Sequence, residues 1–101
     1  MPKRVDANQA EIVADLRGIG ATVQHLHEVG KGCPDLLVGW QGNNWLFELK
    51  DGSKPPSKRR LTPDEQIWHN EWRGTVIVIR SFEQALQYLN GYNCPADVPP
   101  F

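Results

Sequence analysis

Two carboxylates and a lysine have types and spacing that could support chemistry on a phosphate. Asp35 follows Pro34 and opens an apolar run, while Glu48 and Lys50 close the next one. Side chains alternate between the faces of a strand, so Glu48 and Lys50 point the same way, about 7 Å apart. A hairpin through residues 41–44 would bring Asp35 and Glu48 to one end of a sheet. Adjacent carboxylates repel each other unless a cation neutralises them, and their hard oxygens favour Mg²⁺ or Mn²⁺. The lysine could orient water or stabilise charge on a phosphate.

Each of these residues also has a simpler structural interpretation. A Pro-Asp pair can be a turn that enters a strand, with Asp35 bonded to local amides. Glu48 lies between Phe47 and Leu49 in a strand that we expect to be largely buried, where an unpaired carboxylate is costly. A salt bridge to Lys50 alone would meet that need. The pairing of Asp35 with Glu48 favours a metal site over these alternatives.

The elements that must position these groups follow from hydrophobic periodicity and turn residues. Thr62, Pro63 and Glu65 form a capping box that starts the second helix. The expected order is helix 6–17, strand 21–28, strand 36–38, strand 44–50, helix 63–72, strand 75–80 and a helix from about 81 to 89. This order, α-β-β-β-α-β-α, predicts an α/β fold with a mixed sheet flanked by helices, in which the first three strands could form a meander. The last strand-helix-strand unit implies a parallel pair.

Five segments carry a resemblance to a known family. They are Asn8-Gln9-x-Glu11, Gly30-x-Gly32-x-Pro34-Asp35, Glu48-x-Lys50-Asp51-Gly52, Leu61-Thr62-Pro63 before a helix with Gln66, and the strand from Val76 to Ser81 followed by a helix. With them the chain resembles the PD-(D/E)XK nuclease superfamily, and within it the small stand-alone VRR-NUC domains of phages and bacteria. The resemblance covers residues 6–89 or so, and it implies the restriction-endonuclease-like α/β core.

The resemblance implies a metal-dependent nuclease and assigns roles to four residues of the second and third strands. Asp35 and Glu48 would bind Mg²⁺ or Mn²⁺ together with the backbone carbonyl of Leu49. Lys50 would position the attacking water. These four residues are the core of the predicted catalytic site.

The resemblance adds two helix residues to the predicted site. A glutamate of the first helix, here Glu11, would lie beside the metal, and Gln66 matches a polar residue that approaches the site in related nucleases. On a helical wheel, however, Glu11 falls opposite the apolar stripe of Ile12, Val13 and Leu16, as a solvated glutamate would. An ordinary surface glutamine is the alternative for Gln66.

Basic residues cluster directly after the predicted site although the net charge of the chain is only −1. A solvated loop would account for them, but their position favours contact with a nucleic-acid backbone. Lys31, between two glycines just before Pro34, is a further candidate for a phosphate contact. The predicted nucleic-acid-binding residues are Lys31, Lys54, Lys58, Arg59 and Arg60.

We therefore expect a nuclease for DNA, and because nothing resembles a base-reading module, one selective for branched, flapped or junction structures. A chain of 101 residues forms one domain, with a core from about 6 to 90 and an irregular tail over 91–101. A small domain covers little DNA, so a homodimer is expected, and replication or repair proteins are possible partners. Alternatives are a catalytically silent DNA-binding module or a subunit that needs a partner for activity.

Other features of the sequence concern the cellular compartment and a possible zinc site. The chain shows no apolar signal segment, and Val76–Ile79 is too short to cross a bilayer, so no membrane association is expected. Cys33 and Cys94 form no spaced framework and are compatible with thiols in the cytoplasm. A zinc site from His25, His27 and Cys33 is a further alternative, but that spacing is not a recognised tetrahedral set.

Overall fold

The computed structural model describes residues 7–91. Predictions that involve Asp6 as a helix cap, Cys94 or the tail beyond Gly91 lie outside the described residues. The elements are α1 (Ala7–Gly18), β1 (Thr22–His25), β2 (Leu36–Trp40), β3 (Asn43–Leu49), a 3₁₀ turn (Pro56–Lys58), α2 (Pro63–Glu71), β4 (Val76–Ile79) and α3 (Phe82–Leu89). None of the helices within these residues is long and apolar enough to span a membrane.

The four strands form one mixed sheet in the order β1-β2-β3-β4. β1, β2 and β3 are an antiparallel meander, and β4 pairs with β3 in parallel. Gln41 and Gly42 connect β2 to β3, and both have positive φ values, 49° and 84°. A two-residue turn with both positions in the left-handed region matches the twist of the strands it joins. The predicted α/β class, the meander and the parallel pair are confirmed.

One face of the sheet carries the apolar core. Leu36 and Val38 of β2 lie opposite Phe47 and Trp45 of β3, and directly paired residues point to the same face. The core of this face consists of Leu36, Val38, Phe47, Leu49 and Ile79, packed with Ile12, Val13 and Leu16 of α1 and with Ala85 and Leu89 of α3. Alternation then sends Glu48 and Lys50 to the opposite face.

The chain between β3 and β4 contacts that opposite face through Glu65, which lies beside Lys50. It includes the proline-rich loop, in which residues 56–58 form a short 3₁₀ turn, and α2. The capping box at the start of α2 is present as predicted, since the Thr62 side chain accepts from the Glu65 amide and the Glu65 side chain accepts from the Thr62 amide. α2 has no buried residue, and Ile67 and Trp72 are exposed. Packing of apolar side chains therefore contributes little to holding α2 on the sheet.

The first strand is shorter than the predicted segment 21–28. The Leu26 amide still donates to the Asp35 carbonyl at 2.9 Å, but the Val29 amide then donates to the Leu26 carbonyl at 2.9 Å and closes a turn. Local turn bonds thus end the strand at His25.

Candidate active site

Asp35 and Glu48 meet at the end of the β2–β3 pair. The register pairs Leu36 with Phe47, and one step further along the same antiparallel register Asp35 is opposite Glu48. One carboxylate oxygen of Asp35, Oδ2, accepts a 2.7 Å hydrogen bond from the Leu49 amide. That bond fixes the Asp35 side chain against β3. The hairpin therefore brings the two predicted carboxylates together, as their spacing indicated.

Glu48 is a buried carboxylate with one oxygen that no protein group hydrogen-bonds. Its relative exposure is 2%, and its Oε1 atom is buried with no hydrogen-bond partner. The pKa of Glu48 is raised from 4.5 to about 9, first by burial and then by the nearby carboxylates of Asp35 and Glu65, while Lys50 acts in the opposite direction. The cause is physical, because ionised carboxylates in a low-dielectric cluster repel each other and have lost their water.

Lys50 lies between two carboxylates at the rim of this cluster. Its Nζ is 2.8 Å from Oε1 of Glu65 and 3.7 Å from Oε2 of Glu48. Burial by itself lowers the pKa of Lys50, but the hydrogen bond to Glu65 and the charges of Glu65, Glu48 and Asp35 outweigh it and raise that pKa above 10.5. Lys50 is thus held as a cation, with its ammonium fixed at the edge of the site.

The first turn of α2 contributes Glu65, which the sequence identified only as part of the capping box. Its Oε1 atom accepts from the Thr62 amide and from Lys50 Nζ, each at 2.8 Å. Burial raises the pKa of Glu65, but the bonds from Lys50 and from the Thr62 backbone outweigh that effect and bring the pKa below 4.5. A single carboxylate oxygen therefore joins the start of the helix to the lysine.

His69, one turn after Glu65 on α2, also faces the site. Its Nε2 is 3.9 Å from Glu48 Oε1 and has no hydrogen-bond partner, although the side chain is only 10% exposed. Burial lowers the pKa of His69, and the nearby Lys50 lowers it further, against the charge of Glu65. Sequence analysis did not assign Glu65 or His69 to the site. The sequence pattern that groups these two residues is their i, i+4 spacing, which places both side chains on one face of the helix.

Glu11 and Gln66, the two helix residues predicted for the site, are both exposed. Glu11 is exposed on α1, and no hydrogen bond or ion pair joins it to the described site residues. Gln66 is exposed and donates to Asn70 Oδ1 at 2.9 Å. The buried polar residue of α1 is instead Gln9, whose Nε2 lies 3.4 Å from Nδ1 of His25. The roles predicted for Glu11 and Gln66 stay predictions.

The predicted basic residues differ in their exposure. Arg59 is half-buried, whereas Lys31, Lys54, Lys58 and Arg60 are exposed. A cavity of about 480 Å³ adjoins Lys50, and its lining residues are Leu49, Lys50, Asp51, Lys54, Pro55 and Lys58. Three ammonium groups around one open cavity make it suited to an anionic ligand.

The loop that carries Lys31 is held against the start of α2. Gly32 has φ +83°, and a Cβ atom there would overlap the backbone carbonyl of Asp64. Lys31 itself has φ 55° and is exposed. Only glycine permits this approach at position 32, so the loop places Lys31 near the helix that contributes Glu65.

The donor set fits a divalent cation. Glu48 offers a buried oxygen without a hydrogen-bond partner, and Asp35 adds a second hard carboxylate. Within residues 7–91 no group of three or more His, Cys, Asp or Glu side chains is arranged to hold a metal ion. The predicted set depends on two carboxylates and the Leu49 carbonyl.

Comparison with known proteins identifies the fold. The chain is similar to a solved structure described as "VRR_NUC domain", with a TM-score of 0.59 and 29% sequence identity over 83% of this chain and 91% of that one. No family model matches the chain, and no protein of the curated set matches it either. The resemblance that the motifs predicted is confirmed at the level of the fold: the chain has a VRR_NUC-like fold, the fold of a PD-(D/E)XK-like nuclease domain.

Proposed function

We propose that this protein is a metal-dependent nuclease that hydrolyses phosphodiester bonds in DNA, with Mg²⁺ or Mn²⁺ as its cofactor. The observation that carries the proposal is Glu48, a buried carboxylate with an oxygen that has no partner, opposite Asp35 and beside Lys50. A purely structural salt bridge would not leave that oxygen unsatisfied. The similarity to a VRR_NUC domain supports the same reaction class.

The roles divide between the two sides of the site. Asp35, Glu48 and the backbone carbonyl of Leu49 would hold the metal, with Asp35 oriented by its bond from the Leu49 amide. When bound, the metal polarises the phosphate and lowers the pKa of water. Lys50 directs N–H donors toward the place where the scissile phosphate and the attacking water must meet, and its charge offsets the negative charge that develops there.

The basic residues around the site would bind the sugar-phosphate backbone. Lys54 and Lys58 line the cavity next to Lys50, and Lys31 is held near the first turn of α2. Contacts of this type position DNA without reading its sequence. The preferred substrates would therefore be defined by DNA structure, such as flaps, branches or junctions.

Assembly with a second protein is a further part of the proposal. Ile67 is 55% exposed and Trp72 is 46% exposed, both on or next to α2. Large exposed apolar side chains favour contact with another protein surface. A homodimer would supply two sites for two strands. A subunit whose activity depends on a replication or repair partner is the second candidate that the same residues favour.

The test is cleavage of labelled duplex, flap and four-way-junction DNA with Mg²⁺, Mn²⁺ or EDTA. Wild type is compared with Glu48→Gln and Lys50→Ala, and with Glu28→Gln as a control at an exposed glutamate. We expect metal-dependent cutting that both site variants lose and the control retains. Removal of one preorganised charge stabiliser typically lowers the rate by about 10²–10³-fold. DNA binding without cutting under every metal condition would refute the nuclease and leave the silent or partner-dependent module.

A further inference from the structure

Glu65 has a contact pattern that its role as a helix cap does not explain. A capping box needs the Glu65 side chain to accept from the Thr62 amide, and it does so at 2.8 Å. The same Oε1 atom also accepts from Lys50 Nζ at 2.8 Å. Two charge-assisted donors on one oxygen tie a catalytic-site lysine of the sheet to the first turn of α2.

Lys50 needs such a tether because its other neighbour does not hold it. Its contact to Glu48 Oε2 is 3.7 Å, beyond hydrogen-bond length, and Glu48 would be engaged by the metal. A lysine has a long, flexible stem, so an untethered ammonium would sample many positions. Glu65 limits that freedom, and it belongs neither to the Asp35–Glu48 pair nor to the basic loop. Both partners are largely shielded, with side-chain exposures of 13% for Lys50 and 17% for Glu65.

We propose that Glu65 is a positioning residue, which holds the Lys50 ammonium at the rim of the site through a shared carboxylate oxygen. The proposal rests on the function assigned to Lys50 above. Its carboxylate keeps the lysine near the water and phosphate without itself acting on them. Because the same oxygen closes the helix cap, the position of α2 and the position of the ammonium are set together.

Glu65→Gln separates the two tasks of this side chain. Glutamine also serves in a capping box, so the helix start is retained while the negative charge is lost. Thr62→Ala does the reverse, because it removes the hydroxyl cap and leaves the carboxylate next to Lys50. Asp64→Asn removes an exposed acidic charge from the same turn without a contact to the lysine. The three variants form a matched set.

The first readout is the reactivity of Lys50 in the metal-free protein. Acetylation by an N-hydroxysuccinimide ester is followed on each lysine by peptide mass spectrometry, with exposed Lys54 as the internal reference. We expect Glu65→Gln to speed Lys50 acetylation about 10-fold or more toward the rate of Lys54, since the negative charge that holds the ammonium has been lost. Thr62→Ala and Asp64→Asn should leave it within about twofold.

The second readout is steady-state cleavage of the preferred DNA. Glu65→Gln should lower kcat about 10- to 100-fold with little change in KM, while Thr62→Ala and Asp64→Asn keep a kcat near wild type. Wild-type acetylation kinetics at Lys50 in Glu65→Gln would overturn the proposal, as would an equal loss of kcat in Asp64→Asn. If wild type cuts no DNA while Glu65→Gln still exposes Lys50, the tether stands and the proposed nuclease function fails.

Discussion

Glu48→Gln in metal-free protein is the change that tests the electrostatics of the site most directly. The folded protein holds a proton on Glu48 up to pH about 9, whereas the unfolded chain releases it near 4.5. The native state thus binds more protons than the unfolded state between these values. Stability must then fall as the pH rises, by up to about 1.4 kcal/mol per pH unit. Glutamine has the same shape and no proton to lose, so this part of the slope should disappear.

The window from pH 7 to pH 9 separates the titration of Glu48 from that of its two basic neighbours in the site. It lies above the ordinary value of 6.5 for His69 and below that of 10.5 for Lys50. At pH 8 we expect Glu48→Gln to be more stable than wild type by up to about 5 kcal/mol in EDTA, because wild-type Glu48 must take up a proton on folding at a pH well above its ordinary pKa of 4.5, whereas glutamine takes up none. Function and stability would then move in opposite directions, since the same variant should not cut DNA.

The assay is urea unfolding at several pH values, followed by tryptophan fluorescence in EDTA. Glu28→Gln, at an exposed turn, is the control and should follow the wild-type curve. Added Mg²⁺ should stabilise wild type more than Glu48→Gln, since only the native site with its carboxylate binds the ion well. Equal slopes of stability against pH for wild type and Glu48→Gln, or a less stable variant at pH 8, would show that folding does not hold a proton on Glu48.

Three further predictions concern the surroundings of the site. The double variant Lys54→Gln/Lys58→Gln should weaken DNA binding and reduce the slope of log K against log salt by about 2. Fluorescence anisotropy from about 50 to 200 mM NaCl measures this slope, and an unchanged slope would exclude both lysines from the phosphate contacts. Gly32→Ala should unfold at a lower urea concentration than Gly30→Ala, because both glycines have positive φ but only position 32 abuts the Asp64 backbone. Equal losses of stability in the two variants would mean that the close approach costs nothing. Thr62→Ala should lower the free energy of unfolding by about 1 kcal/mol through loss of the helix cap, and a thermal melt that matches wild type would contradict this.

Local patterns account for the parts of the fold that the sequence predicted. Gln41-Gly42 defines a two-residue hairpin, and the hairpin in turn aligns Asp35 with Glu48, so the carboxylate pair follows from turn position and period-2 alternation. The capping box at Thr62 follows from three residue types at fixed spacing. In each case the interacting groups are close in sequence or are linked by one short turn.

The missed site residues depend on how distant elements meet. Periodicity shows which side chains share a helix face, but not which face of the sheet that helix crosses, so Glu65 and His69 were not assigned to the site. On α1 the helical periodicity also indicates a buried position for Gln9, which falls on the same stripe as Ile12, Val13 and Leu16. Gln9 is the buried polar residue of that helix. The family resemblance instead implied a site role for Glu11.

The position of β3 between β2 and β4 sets when, during synthesis, the site can be completed. The hairpin that aligns Asp35 with Glu48 involves only residues 35–48, so it can form as soon as they leave the ribosome. Glu65 emerges later, and β4, which pairs with Glu48 through Val78, emerges after it. A nascent chain therefore presents two bare carboxylates well before it can restrain Lys50. For the proposed nuclease, cleavage competence would therefore be acquired late in synthesis, once the segment between β3 and β4 has folded.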